Sequence, residues 1–363
     1  MKKITIMTVA ILLLGAVSTA SFAGDDPVTS KPSFSGVLWA SYWHAVSGGA
    51  NNIGNGTANS FDIKRVYLTA AGNLAEAWSW KIIFEMGGAP QLNAFAKAAF
   101  IKWTIPGVLK QSVTFGLQPT LTWATTEIYW RYRIVMITPR EYIGTTAVGS
   151  FAGLSTGTAA DFGISYSLKP HEILNVSLMV ANGSGHKTPE ANMYKKIGLT
   201  AGLSIVKNGV IELYIETEGG ASTESRLGIG LFAGYKVEKF GFGVDYFQKK
   251  FPDKTIYVDG AKLEVVSSVI SFCGNYAVHE KLRLLGRFDV HTPIKEDKYL
   301  TRTFGKSGES LLIAGLDCSY GPPNTNFILT YQHKSYDAKY NAGSSWVERD
   351  RYSLIALDVA MKF

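Results

Sequence analysis

Apolar and polar residues alternate along most of this chain in stretches of about ten residues, with turns between them. The clearest stretch is residues 78–86, where Trp80 and Phe84 alternate with Lys81 and Glu85. Successive side chains of a β-strand point to opposite faces, so such a stretch has one apolar and one charged face. Each stretch therefore predicts a strand with one apolar face and one polar face in contact with water.

About sixteen such stretches can be counted, which is an even number. Their connections alternate between short turns, such as residues 106–110 and 170–173, and longer polar loops. Short turns at one end and long loops at the other are typical of bacterial outer-membrane barrels. We predict an all-β fold, a transmembrane antiparallel β-barrel of about sixteen strands that forms a single domain over residues 24–363.

The last stretch carries a specific signal. Ile355, Leu357, Val359 and Met361 lie on one face, and the chain ends on Phe363. A final amphipathic strand that ends in Phe resembles the C-terminal signal that the barrel-assembly machinery reads in bacterial outer-membrane proteins. Phe363 is the predicted assembly signal, and that machinery is a predicted partner.

Residues 121–158 interrupt the alternation. A segment of this length is either disordered or functional, and its many aromatic residues argue against disorder. It follows the fifth strand on the long-loop side, so we predict that this third extracellular loop folds inward as a constriction. The alternative is a loop that folds outward as a cap. Five residues would supply the charge of the constriction loop: Glu127, Arg131, Arg133, Arg140 and Glu141.

The N-terminus predicts export. Two lysines precede an apolar stretch at residues 6–17, and a small-residue site ends at Ala23. This pattern is typical of a secretory signal peptide, here residues 1–23. Beyond it, no apolar stretch reaches the ~18 residues of a membrane-spanning helix.

The chain has a formal charge of +7, and removal of Lys2 and Lys3 with the signal peptide leaves 7 − 2 = +5. Because the basic residues are dispersed and the protein is exported, we expect no nucleic-acid partner. We interpret the charge as a field that acts on small solutes or a membrane surface.

The cysteines and histidines predict no chemistry. Cys273 and Cys318 fall two strands apart, about 9–10 Å at ~4.8 Å per strand, so both are predicted to be free, buried thiols. The histidines show no Ser/His/acid or metal-ligand spacing. We therefore expect no catalytic residue, no metal and no cofactor, and no enzymatic activity. The six histidines are His44, His171, His186, His279, His291 and His333.

A barrel of about sixteen strands is too wide for side chains to fill, so water fills it and lumen charges set the selectivity. The same inner face carries several acids, so these charges could instead pair with one another across strands. Both interpretations stay open. The inward-facing charged residues predicted to line the pore are Arg65, Lys81, Glu85, Lys102, Arg226, Lys281, Arg283 and Arg287. The accompanying acids are Asp161, Glu212, Glu216, Asp245 and Asp289.

Four stretches carry a family resemblance: residues 61–72 with 78–82, 99–103, 113–119 and 180–185. In their order and spacing they resemble the phosphate-selective porin O and P family. The resemblance implies a sixteen-stranded outer-membrane channel, usually trimeric, whose third extracellular loop folds inward. It also implies, in the phosphate-specific members, a ladder of Arg and Lys that draws anions. This chain has Gln118 where members often carry Lys, and its basic residues alternate with acids.

These patterns together predict a porin of the Gram-negative-type cell outer membrane. It would let small hydrophilic solutes diffuse passively, with a weak preference for anions, phosphate-type anions among them. Its expected partners are outer-membrane lipid, lipopolysaccharide, those solutes and two further copies in a homotrimer. The alternatives are a substrate-specific outer-membrane transporter and a non-channel binding or adhesion barrel.

Overall fold

The structure is a computed structural model that describes most of the chain. The predicted signal peptide and residues 143–158 of the predicted loop lie outside the described residues. The described ranges are 31–47, 58–87, 93–142, 159–186, 190, 193–219, 225–258, 261–292, 309–336, 339–341, 346–348 and 351–363.

Sixteen antiparallel strands close into one barrel, which confirms the predicted fold class and strand number. A separate two-stranded hairpin and two short helices complete the described elements. The barrel strands are β1 (Ser33–Ser47), β2 (Asn59–Ala75), β3 (Trp78–Met86), β4 (Ala94–Ile105), β5 (Lys110–Pro119), β6 (Ala160–His171), β7 (Leu174–Ala181), β8 (Lys196–Leu203), β9 (Gly209–Glu218), β10 (Arg226–Lys236), β11 (Phe240–Val258), β12 (Ala261–His279), β13 (Leu282–Thr292), β14 (Glu309–Cys318), β15 (Thr325–Tyr336) and β18 (Tyr352–Lys362). The hairpin is β16 (Lys339–Asn341) with β17 (Trp346–Glu348), and the helices are α1 (Ala124–Trp130) and α2 (Pro139–Tyr142).

The barrel closes where the first strand meets the last. β1 pairs with β2 on one side and with β18 on the other, with Val37 opposite Lys362. Phe363 extends the closure, because its backbone exchanges hydrogen bonds with Gly36 at 2.6 and 3.0 Å. A side chain at Gly36 would collide with the Phe363 ring. Closure leaves no exposed edge among the sixteen described barrel strands, so none of them is free to pair with another chain.

The alternation of the strands separates an apolar outer face from a polar inner face. On β10, Ile229 and Leu231 point outward and are exposed, whereas Phe232 is buried inside. On the inner faces of neighbouring strands, buried charged residues such as Asp245 and Arg287 are common. An apolar outer belt around a charged interior is the arrangement of transmembrane barrels.

The strand register shifts at several places, and two of these β-bulges change the inner face of the barrel. Against β1, the register passes from Arg65 to Ile63 and leaves Lys64 as the extra residue of β2. Against β3, it passes from Ala96 to Ala98 and leaves Lys97 as the extra residue of β4. An extra residue re-aims the side chains on one side of the bulge. Each bulge thus adds a lysine to the inner face.

Both cysteines are free, as predicted, but each is half-buried rather than fully buried. Cys273 and Cys318 lie on β12 and β14, with β13 between them. In the described part of the chain, no helix is long and apolar enough to cross a membrane.

Candidate functional site

Residues 121–142 follow β5 and form a compact unit that packs against the far wall of the barrel. Trp130 is 1% exposed, and its indole N–H donates to the backbone oxygen of Met136 at 2.7 Å. The unit shares one hydrophobic cluster with inner-face residues of β13, β14 and β15. The cluster consists of Trp130, Tyr132, Ile134, Val135, Leu285, Leu311, Ile313 and Ile328.

Arg140 fixes the C-terminal part of this segment. Its guanidinium donates to Asp245 on β11 at 2.9 and 3.1 Å and to the backbone oxygen of Thr122 at 3.1 Å. Glu212 on β9 lies 3.8 Å away, and the Arg140 side chain is fully buried. A charged side chain so deeply buried is stable only when it is paired and hydrogen-bonded. Arg140 is therefore an anchor and is closed to solutes.

Two inner-face cations bind the backbone of the segment from opposite directions. Lys64, on the β2 bulge, donates to the carbonyl of Ile134 at 2.8 Å and pairs with Asp358 on β18 at 2.6 Å. Arg287 on β13 donates to the carbonyl of Ile137 and pairs with Asp289 at 2.6 Å. These contacts attach the segment to both β2 and β13.

Hydroxyl groups attach the start of the segment. The Thr122 and Tyr214 hydroxyls are 2.8 Å apart, and the Tyr214 hydroxyl donates to Glu216 at 2.5 Å. Glu216 also pairs with Lys196 at 2.6 Å and Lys249 at 2.8 Å. This part of the wall is a closed polar network in which each charge has a partner.

A different set of charges lies on the β2–β4 side. Within the segment, Arg133 pairs with Glu127 at 3.0 Å and with Glu141 at 2.5 Å. On the wall, Glu85 pairs with Lys97 at 2.7 Å and with Arg65 at 3.4 Å. The segment thus carries two acids around one arginine, and the wall carries two cations around one acid.

The two sets influence each other electrostatically. Burial raises the pKa of Glu127 above its ordinary value, and the attraction of Arg133 and, more weakly, of Lys97 opposes that rise. The side chain of Glu127 keeps 32% of its exposure, so it remains in contact with water. The acids of the segment therefore lie within electrostatic range of the cations of the wall.

Arg131 differs from the other two arginines of the segment. It follows α1 in a left-handed conformation, with φ at 60°, and its side chain is exposed. Among the described residues it has no ion-pair partner. Lys236 reaches the last turn of α1, 3.5 Å from the carbonyl of Ile128, and Arg283 donates to Asn275 at 2.8 Å. The Lys236 stem packs over Gly241 beside Asn275, so Arg131, Lys236 and Arg283 share one region.

Two acids border that region. Asp317 stands opposite Arg283 in the β13–β14 register and accepts hydrogen bonds from Tyr132 at 3.1 Å and Asn326 at 2.7 Å. Glu238 lies in the adjoining turn, where its backbone oxygen accepts from Arg283 at 3.1 Å. Three cations and two acids leave the region with a net positive charge. We call Arg131, Lys236 and Arg283 the basic triad.

The other predicted pore residues are dispersed. Arg226 pairs with Glu218 at 3.6 Å, at the long-loop ends of β9 and β10. Lys81 and Lys102 are on the inner faces of β3 and β4, without an ion-pair partner among the described residues. Lys281 lies in the turn before β13, 5.5 Å over the ring of Tyr320, and not beside Arg283 and Arg287.

Four inner-face lysines were missed by the sequence analysis: Lys64, Lys97, Lys196 and Lys249. A signal for Lys64 exists in the sequence. The outward-facing apolar residues change from odd positions (Phe61, Ile63) to even positions (Val66, Leu68). This change indicates one extra residue between the two pairs. Lys97 has no comparable signal, because small alanines surround it. No group of His, Cys, Asp or Glu within the described residues could hold a metal ion.

The fold is shared with outer-membrane proteins of known structure. The outer-membrane channel DcaP of Acinetobacter baumannii superposes with a TM-score of 0.63 at 11% identity, over 93% of this chain and 99% of that one. An anion-selective porin from Comamonas acidovorans gives 0.61 at 10% identity, over 92% and 100%. OmpT of Vibrio cholerae, described in a trimer form, gives 0.60 at 12% identity, over 92% and 99%. No family model and no curated protein sequence matches the chain.

Proposed function

We propose that this protein is an outer-membrane porin, a water-filled channel through which small hydrophilic solutes diffuse passively. One observation carries the proposal. Residues 121–142 are attached to inner-face residues of β2, β9, β11 and β13, and their acids lie within electrostatic range of the cations on β2–β4. A segment held in this way narrows a barrel without filling it, and the remaining passage is lined by charge.

The narrowest passage would run between Glu127 and Glu141 on the segment and Arg65 and Lys97 on the wall. Opposite charges on facing walls orient polar solutes and disfavour apolar ones. The predicted constriction loop thus keeps its proposed role, with Glu127, Arg133 and Glu141 at the passage. Arg140 serves as an anchor.

We propose a weak preference for anions. Most inner-face charges are paired, and such pairs contribute little net field. The basic triad and the lysines Lys81 and Lys102 provide positive charge that no described acid neutralises in full. Small anions, phosphate-type anions included, would therefore be favoured modestly over cations.

The remaining features of the proposal follow from the fold class. The protein would be exported by the signal peptide at residues 1–23, inserted through recognition of Phe363, and assembled as a homotrimer in contact with outer-membrane lipid and lipopolysaccharide. The structural similarity to channels, one of them described in a trimer form, supports this assignment. We expect no enzymatic activity.

Reversal potentials in planar bilayers test the proposal. With a tenfold KCl gradient across the membrane, a weakly anion-preferring channel gives a reversal potential displaced from zero toward the chloride equilibrium potential. A displacement toward the potassium potential contradicts the anion preference. The absence of any conductance from correctly folded protein contradicts the porin assignment itself.

A further inference from the structure

A recess of about 520 Å³ lies at the short-turn end of the barrel, between β4, β5, β6 and β7. It is separate from residues 121–142, none of which lines it. Its polar and charged lining residues other than Gln111 lie on the inner face by strand register, since Lys102 is opposite Thr114 and Ser112 is opposite Ser167. These lining residues are Lys102, Thr104, Lys110, Ser112, Ser167, Lys169 and Asn175.

The charge of the recess is uncompensated. Lys110 and Lys169 stand directly opposite each other in the β5–β6 register, and Lys102 lies on the neighbouring strand. Like charges in directly opposed positions destabilise a sheet. No carboxylate is among the described residues that line the recess, and none of these three lysines has an ion-pair partner in the described part of the chain. Glu172, in the next turn, is exposed and does not line it.

Hydrogen-bond donors complete the recess. Thr104, Ser112, Ser167 and the amide of Asn175 surround the lysines. Elsewhere on the inner face, cations such as Lys64 and Lys97 are paired with acids at 2.6–2.7 Å. A recess lined by three lysines, two of them exposed, and by several donors, with no acid among its described lining residues, favours negative charge. Its volume accommodates a solute larger than a single chloride.

We propose that this recess is a binding site for small solutes that carry two or three anionic groups, of the di- and tricarboxylate class. Each carboxylate can accept from one lysine and one neighbouring donor, and the ligand relieves the repulsion between Lys110 and Lys169. Such a site would hold polyanions at the short-turn mouth of the barrel. This binding would be separate from passive diffusion through the proposed channel. Monocarboxylates, which reach one or two lysines, bind only weakly.

Calorimetric titration of the full-length protein in detergent at low ionic strength tests the site. Citrate is the probe and acetate is the comparison, because both are carboxylates and only citrate can span three lysines. We expect saturable citrate binding and at least about tenfold weaker acetate binding. The measurement does not depend on conductance, so its outcome is independent of the porin proposal.

Substitutions locate the binding. Lys110→Gln with Lys169→Gln should weaken citrate binding about tenfold or more, because two of three charges are removed. Lys207→Gln, in the exposed turn before β9, is the matched control and should leave it unchanged. In the Lys110→Glu variant the new carboxylate can pair with Lys169, so the barrel should stay folded. Citrate binding should nevertheless be lost, because the recess then carries an acid. Absence of citrate binding to the wild-type protein, or equal binding by the double variant, overturns the proposal.

Discussion

At the scale of the residue, the three arginines of the segment are not equivalent. Arg133 and Arg140 are held by acids, and only Arg131 extends into solvent from a left-handed backbone position. A buried, paired charge contributes to structure, whereas an exposed one contributes to the local field. This difference separates the proposed functional role of Arg131 from the structural role of the other two.

Arg131→Gln should therefore change selectivity without changing stability. We expect the reversal potential in a KCl gradient to move toward the potassium potential, while the unfolding temperature in detergent stays that of the wild type. Lys207→Gln, which removes an equal charge from an exposed turn, should leave the reversal potential in place. An unchanged reversal potential for Arg131→Gln would exclude this residue from the selective region.

Arg140→Gln, in contrast, should lower the stability of the protein. The substitution leaves Asp245 and Glu212 without their cation inside the barrel, at a cost of about 3–5 kcal/mol. We expect a lower unfolding temperature, noisier current and larger conductance as the segment loosens. Wild-type thermal stability and steady current in this variant would contradict the anchoring role.

Glu127 should make the selectivity depend on pH. Because burial raises its pKa, Glu127 takes up a proton at a higher pH than an ordinary glutamate, whose pKa is about 4.3. Acidification through that raised pKa removes a negative charge from the passage, so the preference for anions should increase. Reversal potentials measured from pH 7 down to pH 4 should show this increase in anion preference. The Glu127→Gln variant should show the stronger anion preference at every pH in that range.

At the scale of the element, barrel closure depends on the contact between the two termini. Phe363 lies against Gly36, so Gly36→Ala should force the exposed ring away from the strand and weaken the closure. Gly274→Ala is the matched control, because the nearest atom to the added methyl is an ordinary 3.5 Å away. The unfolding temperature in detergent should fall for Gly36→Ala alone, and equal temperatures for the two variants would contradict the role of this contact.

The strands were predictable because their signal is local. Alternation with period two identifies each strand, and the apolar parity identifies its outer face, as on β3 and β10. The bulges at Lys64 and Lys97 were not predicted. The change of parity between Ile63 and Val66 does mark the first bulge, whereas the second lies among small alanines and is defined only against its partner strand. The hairpin of β16 with β17 falls in a stretch that was predicted to be loop.

The contacts of residues 121–142 could not be predicted from the sequence for a similar reason. Arg140 and Asp245 are 105 positions apart, and Arg287 and Ile137 are 150 apart. Composition indicates that residues 121–142 are charged and aromatic, but not which charges are buried in pairs. That distinction requires the three-dimensional placement of the opposite wall. Within the described residues, Arg140 has acidic partners there and Arg131 has none.

At the scale of the whole molecule, the barrel has a paired interior with two unbalanced regions. Buried ion pairs line much of the inner face and attach residues 121–142 to it. The basic triad and the lysine recess retain uncompensated positive charge near the short turns. A wide barrel with a narrow, charged passage accounts for both the segment and the distribution of charge.

The central claim is that residues 121–142 narrow a water-filled channel. Single-channel conductance of the wild-type protein, compared with a variant in which residues 124–141 are replaced by a short Gly/Ser linker, tests it most directly. Heat-dependent mobility in detergent first establishes that the variant barrel has closed. We predict a conducting wild-type channel and a conductance at least about twofold larger in the variant, because the narrowest section limits the current. Equal conductances, or no conductance from either folded protein, would contradict the claim.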